Sequence, residues 1–304
     1  MQFSETAAEV RLPAYAKINL DLRIVGKRPD GYHDIQTLFQ QISLQDNLQI
    51  KAFPSKENQI FLKVDKPNIP DNEDNLVWKA ARAFLTSISQ TFTIEIFLEK
   101  SVPAGAGLGG GSSDAAATLI GLNLLTKANV SVEELKKMSV KLGADIPFFL
   151  TGGAAYAEGV GDRLEQIDSA IEFWAVVVVP PVHISTKWAY SNIRIPLTSG
   201  EDGINFTRFF QAQDRLQEWR NVFRNDFQEL VFKHFPELAE IKRALYAQGA
   251  IYANLSGTGS ALFGLFNTQS QARTVGEMFE KNNFVSVVEP TAWGMRDVFE
   301  KIKK

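Results

Sequence analysis

From Thr91 to Leu98 (TFTIEIFL) every second residue is apolar, so Phe92, Ile94, Ile96 and Leu98 share one face of a strand. Lys17 to Val25 (KINLDLRIV) alternates in the same way and predicts a half-buried strand. Its inward residues are Ile18, Leu20 and Leu22; Lys17, Asn19 and Asp21 share the other face, with Asp21 read as a surface residue. Phe173 to Val179 (FWAVVVV) is apolar without alternation, the pattern of a strand covered on both faces, and Pro180-Pro181 closes it. Elsewhere the apolar spacing becomes helical. Asp74 or Asn75 can cap NLVWKAARAFL, and Ser131 with Glu134 makes a capping box before VEELKKMSVKL, which Gly143 ends. A helix is predicted from about Ser112 to Leu125, and another opens at Pro236 and closes at Gly249. Lys27 to Gly31 (KRPDG) is turn chemistry. Leu197 to Arg220 is polar and predicts a loop followed by an amphipathic helix. The mixture is α+β, with a division somewhere in Glu158 to Ile171; we set the two domains at 1–164 and 165–304.

Composition removes several classes of function. The 304 residues are 45% hydrophobic and 22% charged, as in a globular protein, and the net charge of −3 offers no basic field for nucleic acid. There is no cysteine, which excludes disulfides, thiolate nucleophiles and cysteine-held metal centres. The most apolar run is far shorter than the roughly 20 residues of a membrane-spanning helix. The first residues, MQFSETAAEVRLPAY, lack the apolar core of a secretory signal, so a cytoplasmic setting is expected. His33, His183 and His234 are too scattered to form a metal triad, and the last two read as structural or exposed.

The chemistry concentrates in VPAGAGLGGGSSDAAA, Val102 to Ala117. Gly105, Gly107 and Gly110 satisfy G-x-G-x-x-G, but a dinucleotide site also needs a strand after the next helix, and a second helix follows instead. A Walker loop fails too, because Gly111 stands where the lysine should be. What remains is a cradle of backbone amides beside a helix N-terminus, a site for phosphate. Ser112 and Ser113 can add hydroxyls to it or ligate a magnesium ion carried by the nucleotide. A flexible linker is the bland alternative, and it does not sit naturally between a patterned strand and a capped helix.

PAGAGLGGGSSDAAA resembles the phosphate-binding motif of the GHMP kinases, P-x-x-x-G-L-G-S/G-S-S, which wraps ATP without a Walker lysine. PAYAKINL (Pro13 to Leu20), KRPDGYHDIQTLFQQISLQD (Lys27 to Asp46), LGADIPFFLTGGAAYAEGVGD (Leu142 to Asp162) and NLSGTGSALFGLF (Asn254 to Phe266) extend the resemblance over most of the chain. GYH and GADIPFF narrow it to the branch whose acceptor is 4-diphosphocytidyl-2-C-methyl-D-erythritol. The implied architecture is a ribosomal-protein-S5-like ATP-binding domain followed by a ferredoxin-like α+β domain, with ATP and acceptor meeting in the cleft between them. The implied activity is ATP-dependent phosphorylation of the acceptor's 2-hydroxyl on the non-mevalonate route to isoprenoids. ATP is the co-substrate, magnesium its ion, and the protein a monomer or weak homodimer with a small-molecule partner.

The resemblance assigns residues as well. Pro103, Ala104, Gly105, Ala106, Gly107, Leu108, Gly109, Gly110, Gly111, Ser112 and Ser113 wrap ATP, with Asn75 and Lys100 on the adenine side. Asn75 reads equally as a helix cap and Lys100 as a strand-end charge. Lys17 and Asp145 are the catalytic pair. The apolar run Ile146-Pro147-Phe148-Phe149 would partly desolvate Asp145 and strengthen it as a base, although its pattern also suits a helix cap. Lys17 supplies from elsewhere the cation that the loop lacks, and Asn19 lies beside the acceptor. Tyr32 and His33 offer a ring to stack on cytosine and hydrogen bonds to its edge. Tyr190 supplies a second ring, with Trp188 as the competing choice. No carboxylate cluster for a metal is expected. The Ser256 to Ser260 turn backs the phosphates or the acceptor's diphosphate through amide donors, or is simply a turn between strands. Two rivals stand: a GHMP kinase for another alcohol, such as homoserine or mevalonate, and a non-catalytic nucleotide-binding protein of the same fold.

Overall fold

The computed structural model describes residues 8–168, 171–193, 213–292 and 294. Its first two strands are long: β1 (Ala8–Lys27) and β2 (His33–Pro54) form a hairpin closed by the expected KRPDG turn. Gly31 takes φ +89° there, and its amide reaches the Arg28 carbonyl at 3.1 Å. Pairing is irregular between Tyr15 and Lys17, Asn19 and Asp21, and Ile24 and Gly26. The second and third irregularities place an extra residue in β1, and an extra residue turns the following side chains to the opposite face. Ile18 and Leu20 accordingly pack in one core while Leu22 and Ile24 pack in another.

This corrects the half-buried strand read from alternation. Every residue from Lys17 to Ile24 is buried, because a second layer covers the face that a single sheet would leave to water. Asp21, expected at the surface, is fully buried. Its two oxygens accept from Arg23 Nε (2.9 Å) and the Arg224 amide (2.7 Å). Desolvation outweighs those donors and pushes its carboxyl up to about 6.

The first layer continues through β3 (Gln59–Val64), α1 (Leu76–Ser87), β4 (Phe92–Glu99), α2 (Gly110–Thr126), α3 (Val132–Val140), α4 (Ile146–Thr151), β5 (Ala154–Gly159) and β6 (Arg163–Ile167). The sheet order is β3-β4-β2-β5-β6, with β1 also pairing β2. Phe92, Ile94, Ile96 and Leu98 of β4 face the core as their alternation predicts. The Ser131–Glu134 capping box forms at α3. The central helix α2 begins at Gly110, two residues before the expected start, because Gly109 in the left-handed conformation makes the turn into it. Its alanines lie against the sheet, and at Gly121 a Cβ would stand 2.6 Å from Ile50 Cδ1, so a larger residue there would have to push that side chain aside. The division placed at 164/165 falls inside β6, whose register with β5 runs from Arg163 to Ile167; pairing carries the first layer to Ile167.

The second layer holds β7 (Trp174–Val179), α5 (Thr186–Asn192), a 3-10 turn (Gln213–Glu218), α6 (Trp219–Val222), α7 (Gln228–His234), α8 (Pro236–Ala247), β8 (Tyr252–Leu255), β9 (Leu262–Phe266), α9 (Gln269–Glu277) and β10 (Phe284–Val288). The antiparallel order β10-β7-β9-β8 is the ferredoxin-like one. β7 is buried as its unbroken apolar run predicts, and α8 opens at Pro236 and closes at Gly249 (φ +86°). Of the polar segment from Leu197 to Arg220, residues 197–212 lie outside the described residues. Ile18 and Leu20 of β1 share a core with Val177, Trp219, Tyr252 and Phe263, so the first strand belongs to both layers. Tyr252 Oη donates to the Leu20 carbonyl at 2.7 Å.

Candidate active site

Between β4 and α2 the chain alternates handedness, with Gly105, Gly107 and Gly109 at φ +68°, +82° and +72°. Three successive carbonyls of this loop are tied backward into the protein. The Ala106 carbonyl accepts from the Ala261 amide (3.0 Å), that of Leu108 from the Lys17 amide (2.9 Å), and that of Gly107 from Ser256 Oγ (2.8 Å) and Lys17 Nζ (3.1 Å). In a trans peptide the N–H points opposite to the carbonyl it is joined to. The amides of Gly107, Leu108 and Gly109 are therefore turned away from the protein, next to the positive end of α2. Such a concavity holds an anion. Glycine is required for contact as well as for φ: a Cβ at Gly107 would lie 2.1 Å from the Ser256 carbonyl oxygen.

Lys17 and Asp145 meet beside this concavity, with Nζ 3.6 Å from Oδ2. The lysine side chain is 4% exposed and the aspartate 34%, so the carboxylate keeps one side open to a ligand. Asn19 Oδ1 accepts from Lys17 Nζ at 2.6 Å, and Asn19 Nδ2 donates to Thr37 Oγ1 at 2.8 Å, which fixes the amide. Burial pushes the Lys17 ammonium down, and the Asp145 charge pulls it back up. Although Asp145 stands at the cap position of α4, its side chain makes no capping hydrogen bond, which leaves the carboxylate uncommitted there.

The same cavity, about 610 Å³, extends from Lys17, Asp145, Gly107 and Gly109 to Tyr32, His33 and Tyr190. Tyr32 projects from the KRPDG turn and is 66% exposed. His33, the first residue of β2, lies 5.3 Å from Tyr190 ring to ring, and Tyr190 is braced edge-on by Phe227 at 4.8 Å. Burial and nearby Lys27 hold the His33 imidazole below its ordinary range. It is then neutral near pH 7, with one nitrogen to donate and one to accept. Trp188, two residues earlier on α5, points the other way and packs on His234 and Phe235 at 5.0 and 5.8 Å. The exposed ring of His183 lies beside Gly105.

Two residues expected on the adenine side have local duties. Asn75 caps α1: Oδ1 accepts from the Val77 amide (2.9 Å) and Nδ2 donates to the Pro70 carbonyl (2.6 Å). Lys100 stands at the end of β4 as read, but its ammonium is buried between Asp46 and Asp114. Ser113 is buried within the first turn of α2, whereas Ser112 is half-buried. The Ser256 to Ser260 stretch is the turn from β8 to β9, and its Ser256 Oγ donates to the Gly107 carbonyl of the glycine loop. Sequence reasoning missed Asn225, whose Nδ2 donates to the carbonyls of Leu255 and Gly257 (both 2.8 Å) and so fixes that turn. The run of three polar residues Arg224 to Asp226 between Phe223 and Phe227 was the available signal.

Comparison with known proteins follows the same lines. The model for the GHMP kinases N terminal domain matches residues 75–153, and that for the GHMP kinases C terminal domain matches residues 210–285. The chain is 40% identical over 264 residues to a 4-diphosphocytidyl-2-C-methyl-D-erythritol kinase of Lachnoclostridium phytofermentans, covering 86% of this chain and 90% of that protein. It is 42% identical over 269 residues to the protein of the same name from Prosthecochloris aestuarii, covering 88% and 93%. A crystal structure of 4-(cytidine 5'-diphospho)-2C-methyl-D-erythritol kinase superposes with a TM-score of 0.80 at 34% identity, covering 93% of this chain and all of that one (100%).

Proposed function

The chain belongs to the GHMP kinases, in the branch of the 4-diphosphocytidyl-2-C-methyl-D-erythritol kinases, and on that footing we propose that Lys17 and Asp145 carry its phosphoryl transfer. The reaction is ATP-dependent phosphorylation of the 2-hydroxyl of 4-diphosphocytidyl-2-C-methyl-D-erythritol, giving ADP and the 2-phosphate, in the methylerythritol phosphate route. The observation that carries the assignment is the 3.6 Å approach of Lys17 Nζ to Asp145 Oδ2 beside a loop of outward-turned amides.

Phosphoryl transfer leaves the protein three tasks: aligning the hydroxyl, spreading the phosphate charge and receiving a proton. Asp145 Oδ2 takes the hydroxyl proton. Lys17, oriented by Asn19 Oδ1 and the Gly107 carbonyl, offsets negative charge between the attacking oxygen and the γ-phosphate. The loop from Pro103 to Ser113 receives the triphosphate on its amides and on the N-terminus of α2. The half-buried Ser112 is the hydroxyl that would hold a magnesium ion carried by ATP, and that ion would neutralise phosphate charge. At the far end of the cavity Tyr32 and Tyr190 take the faces of the cytosine, and His33 its edge. We assign the enzyme to the cytoplasm, as a monomer or weak homodimer.

ADP release should be measured with cytidyl acceptor, homoserine, mevalonate and galactose in parallel. Turnover with the cytidyl compound alone is expected, and comparable turnover with homoserine or mevalonate would remove the cytosine site from the assignment. Within that site, Tyr32→Ala should raise the acceptor KM by about tenfold, one stacking face being worth roughly 1–3 kcal/mol, and leave the ATP KM unchanged. A rise in the ATP KM instead would move Tyr32 to the nucleotide pocket. Gly107→Ala should do the reverse. Its methyl group must displace either the loop or the Ser256 carbonyl, so the ATP KM should rise about tenfold or more while the acceptor KM holds.

A further inference from the structure

Beneath the first turn of α2 lies a charged group that the transfer itself does not touch. Lys100, just beyond β4, directs its ammonium between Asp46 of β2 and Asp114 of α2. The Nζ to Asp114 Oδ2 distance is 2.7 Å, and Asp46 Oδ2 is an equally direct partner. All three side chains are shut away from water, at 6%, 0% and 3% exposure for Lys100, Asp46 and Asp114. The second oxygen of Asp46 accepts the amides of Ser101 (2.6 Å) and Val102 (2.8 Å), the residues that enter the glycine loop. On the helix side, a Cβ at Gly110 would stand 3.3 Å from Lys100 Nζ. One ammonium thus pins β2, the loop entry and the first turn of α2 at a single point.

The charges do not balance as drawn. Two carboxylates and one ammonium leave a net negative charge in a place without water, which is costly. Asp46 is met by donors at both oxygens. Asp114 is not: its Oδ1 is buried and has no hydrogen-bond partner. A proton on Asp114 removes the excess charge and gives that carboxyl a hydrogen to share with Asp46. Lys100 and Asp46 are the charged groups that face it; burial and the Asp46 charge outweigh the pull of Lys100 and hold the carboxyl up at about 8.

We propose that Asp46, Lys100 and Asp114 form a positioning triad for the nucleotide loop, in which Asp114 serves as a neutral acid. The proposal rests on reading Pro103 to Ser113 as the ATP cradle and adds how that cradle is held in shape. Lys100 acts through the fold, not through contact with the nucleotide.

Because asparagine has the shape of a neutral aspartic acid, D114N should bind ATP within about twofold of wild type. D46N and K100M each leave a buried group without its partner at the loop entry. Both should raise the ATP KM by about tenfold or more while the acceptor KM stays in place. The infrared spectrum reads the protonation directly: the carbonyl stretch of a protonated carboxyl should be present in wild type at pH 7 and missing in D114N. Identical spectra for the two proteins would overturn the proposal. So would a D114N that loses ATP affinity as heavily as D46N, or that fails to fold. If D46N and K100M do not fold, the comparison of wild type with D114N still decides the matter. The infrared band is recorded without substrate and ATP affinity by titration, so an error in the acceptor assignment would leave both readings intact.

Discussion

Asp145→Asn should lower kcat by about 10³, within the 10²–10⁴ range that general bases supply, with little change in the KM for ATP. The amide cannot take the hydroxyl proton, and it has a second effect. Burial already pushes the Lys17 ammonium down, and the Asp145 charge is what holds it up. Without that charge Lys17 loses its proton at lower pH, so the alkaline fall in the residual kcat should move toward neutral pH. The melting temperature should fall only modestly: the Asp145 side chain makes no capping hydrogen bond at α4 and is 34% exposed, so the loss is limited to the deeper depression of the buried Lys17 ammonium. Turnover near wild type with both substrates saturating would remove the base assignment. An unchanged kcat accompanied by a lower melting temperature would restore the plain capping role.

Lys17→Met should cost about 10²–10³ in kcat, the usual loss when one preorganised charge or donor at a reacting centre is removed. Methionine keeps most of the volume beneath Gly109, whose Cβ position lies 3.1 Å from Lys17 Cγ. It cannot donate to Asn19 Oδ1 or to the Gly107 carbonyl. Asn19 Oδ1 then loses its closest donor and the Gly107 carbonyl keeps Ser256 Oγ alone, so this variant should also lose about 1–3 kcal/mol of stability by chemical denaturation. The double variant separates the roles. If lysine and aspartate act as a unit, Lys17→Met in the Asp145→Asn background should lower kcat far less than it does alone. Fully multiplicative losses would mean that the two residues serve different steps.

What the sequence made legible was what local physics controls. Phe92 to Leu98, the Ser131–Glu134 capping box, the KRPDG turn and the closure of α8 at Gly249 each depend on neighbours a few residues away, and each formed as read. The glycine loop was legible because left-handed backbone and close approach leave few residue types that fit. Asp21 was misread because the Arg224 segment that covers it comes from far along the chain, and the burial of the Lys100 ammonium was hidden because Asp46 and Asp114 lie on separate elements, β2 and α2. A charge in an alternating strand looks solvated until a second layer arrives to cover it. The two-residue shift at the start of α2 has a smaller cause, since Gly109 turns the chain into a helix without needing a serine cap. Trp188 and Tyr190 could be separated only once α5 was seen to point them to opposite sides.

The dual membership of β1 also bears on the order in which the molecule comes into being. Lys17 and Asn19 lie near the start of the chain, yet the Asn19 amide donates to Ser256 Oγ, 237 residues later. Leu22 is bridged to Asn225, and the glycine loop is backed by Ser256 and Ala261. Contacts of such separation close large loops and form late. A nascent chain that has emerged only as far as β7 carries Lys17, Asp145 and every glycine of the cradle, but not the turn from β8 to β9 that holds their carbonyls back. Its catalytic lysine has been made, and its phosphate cradle still lacks a wall.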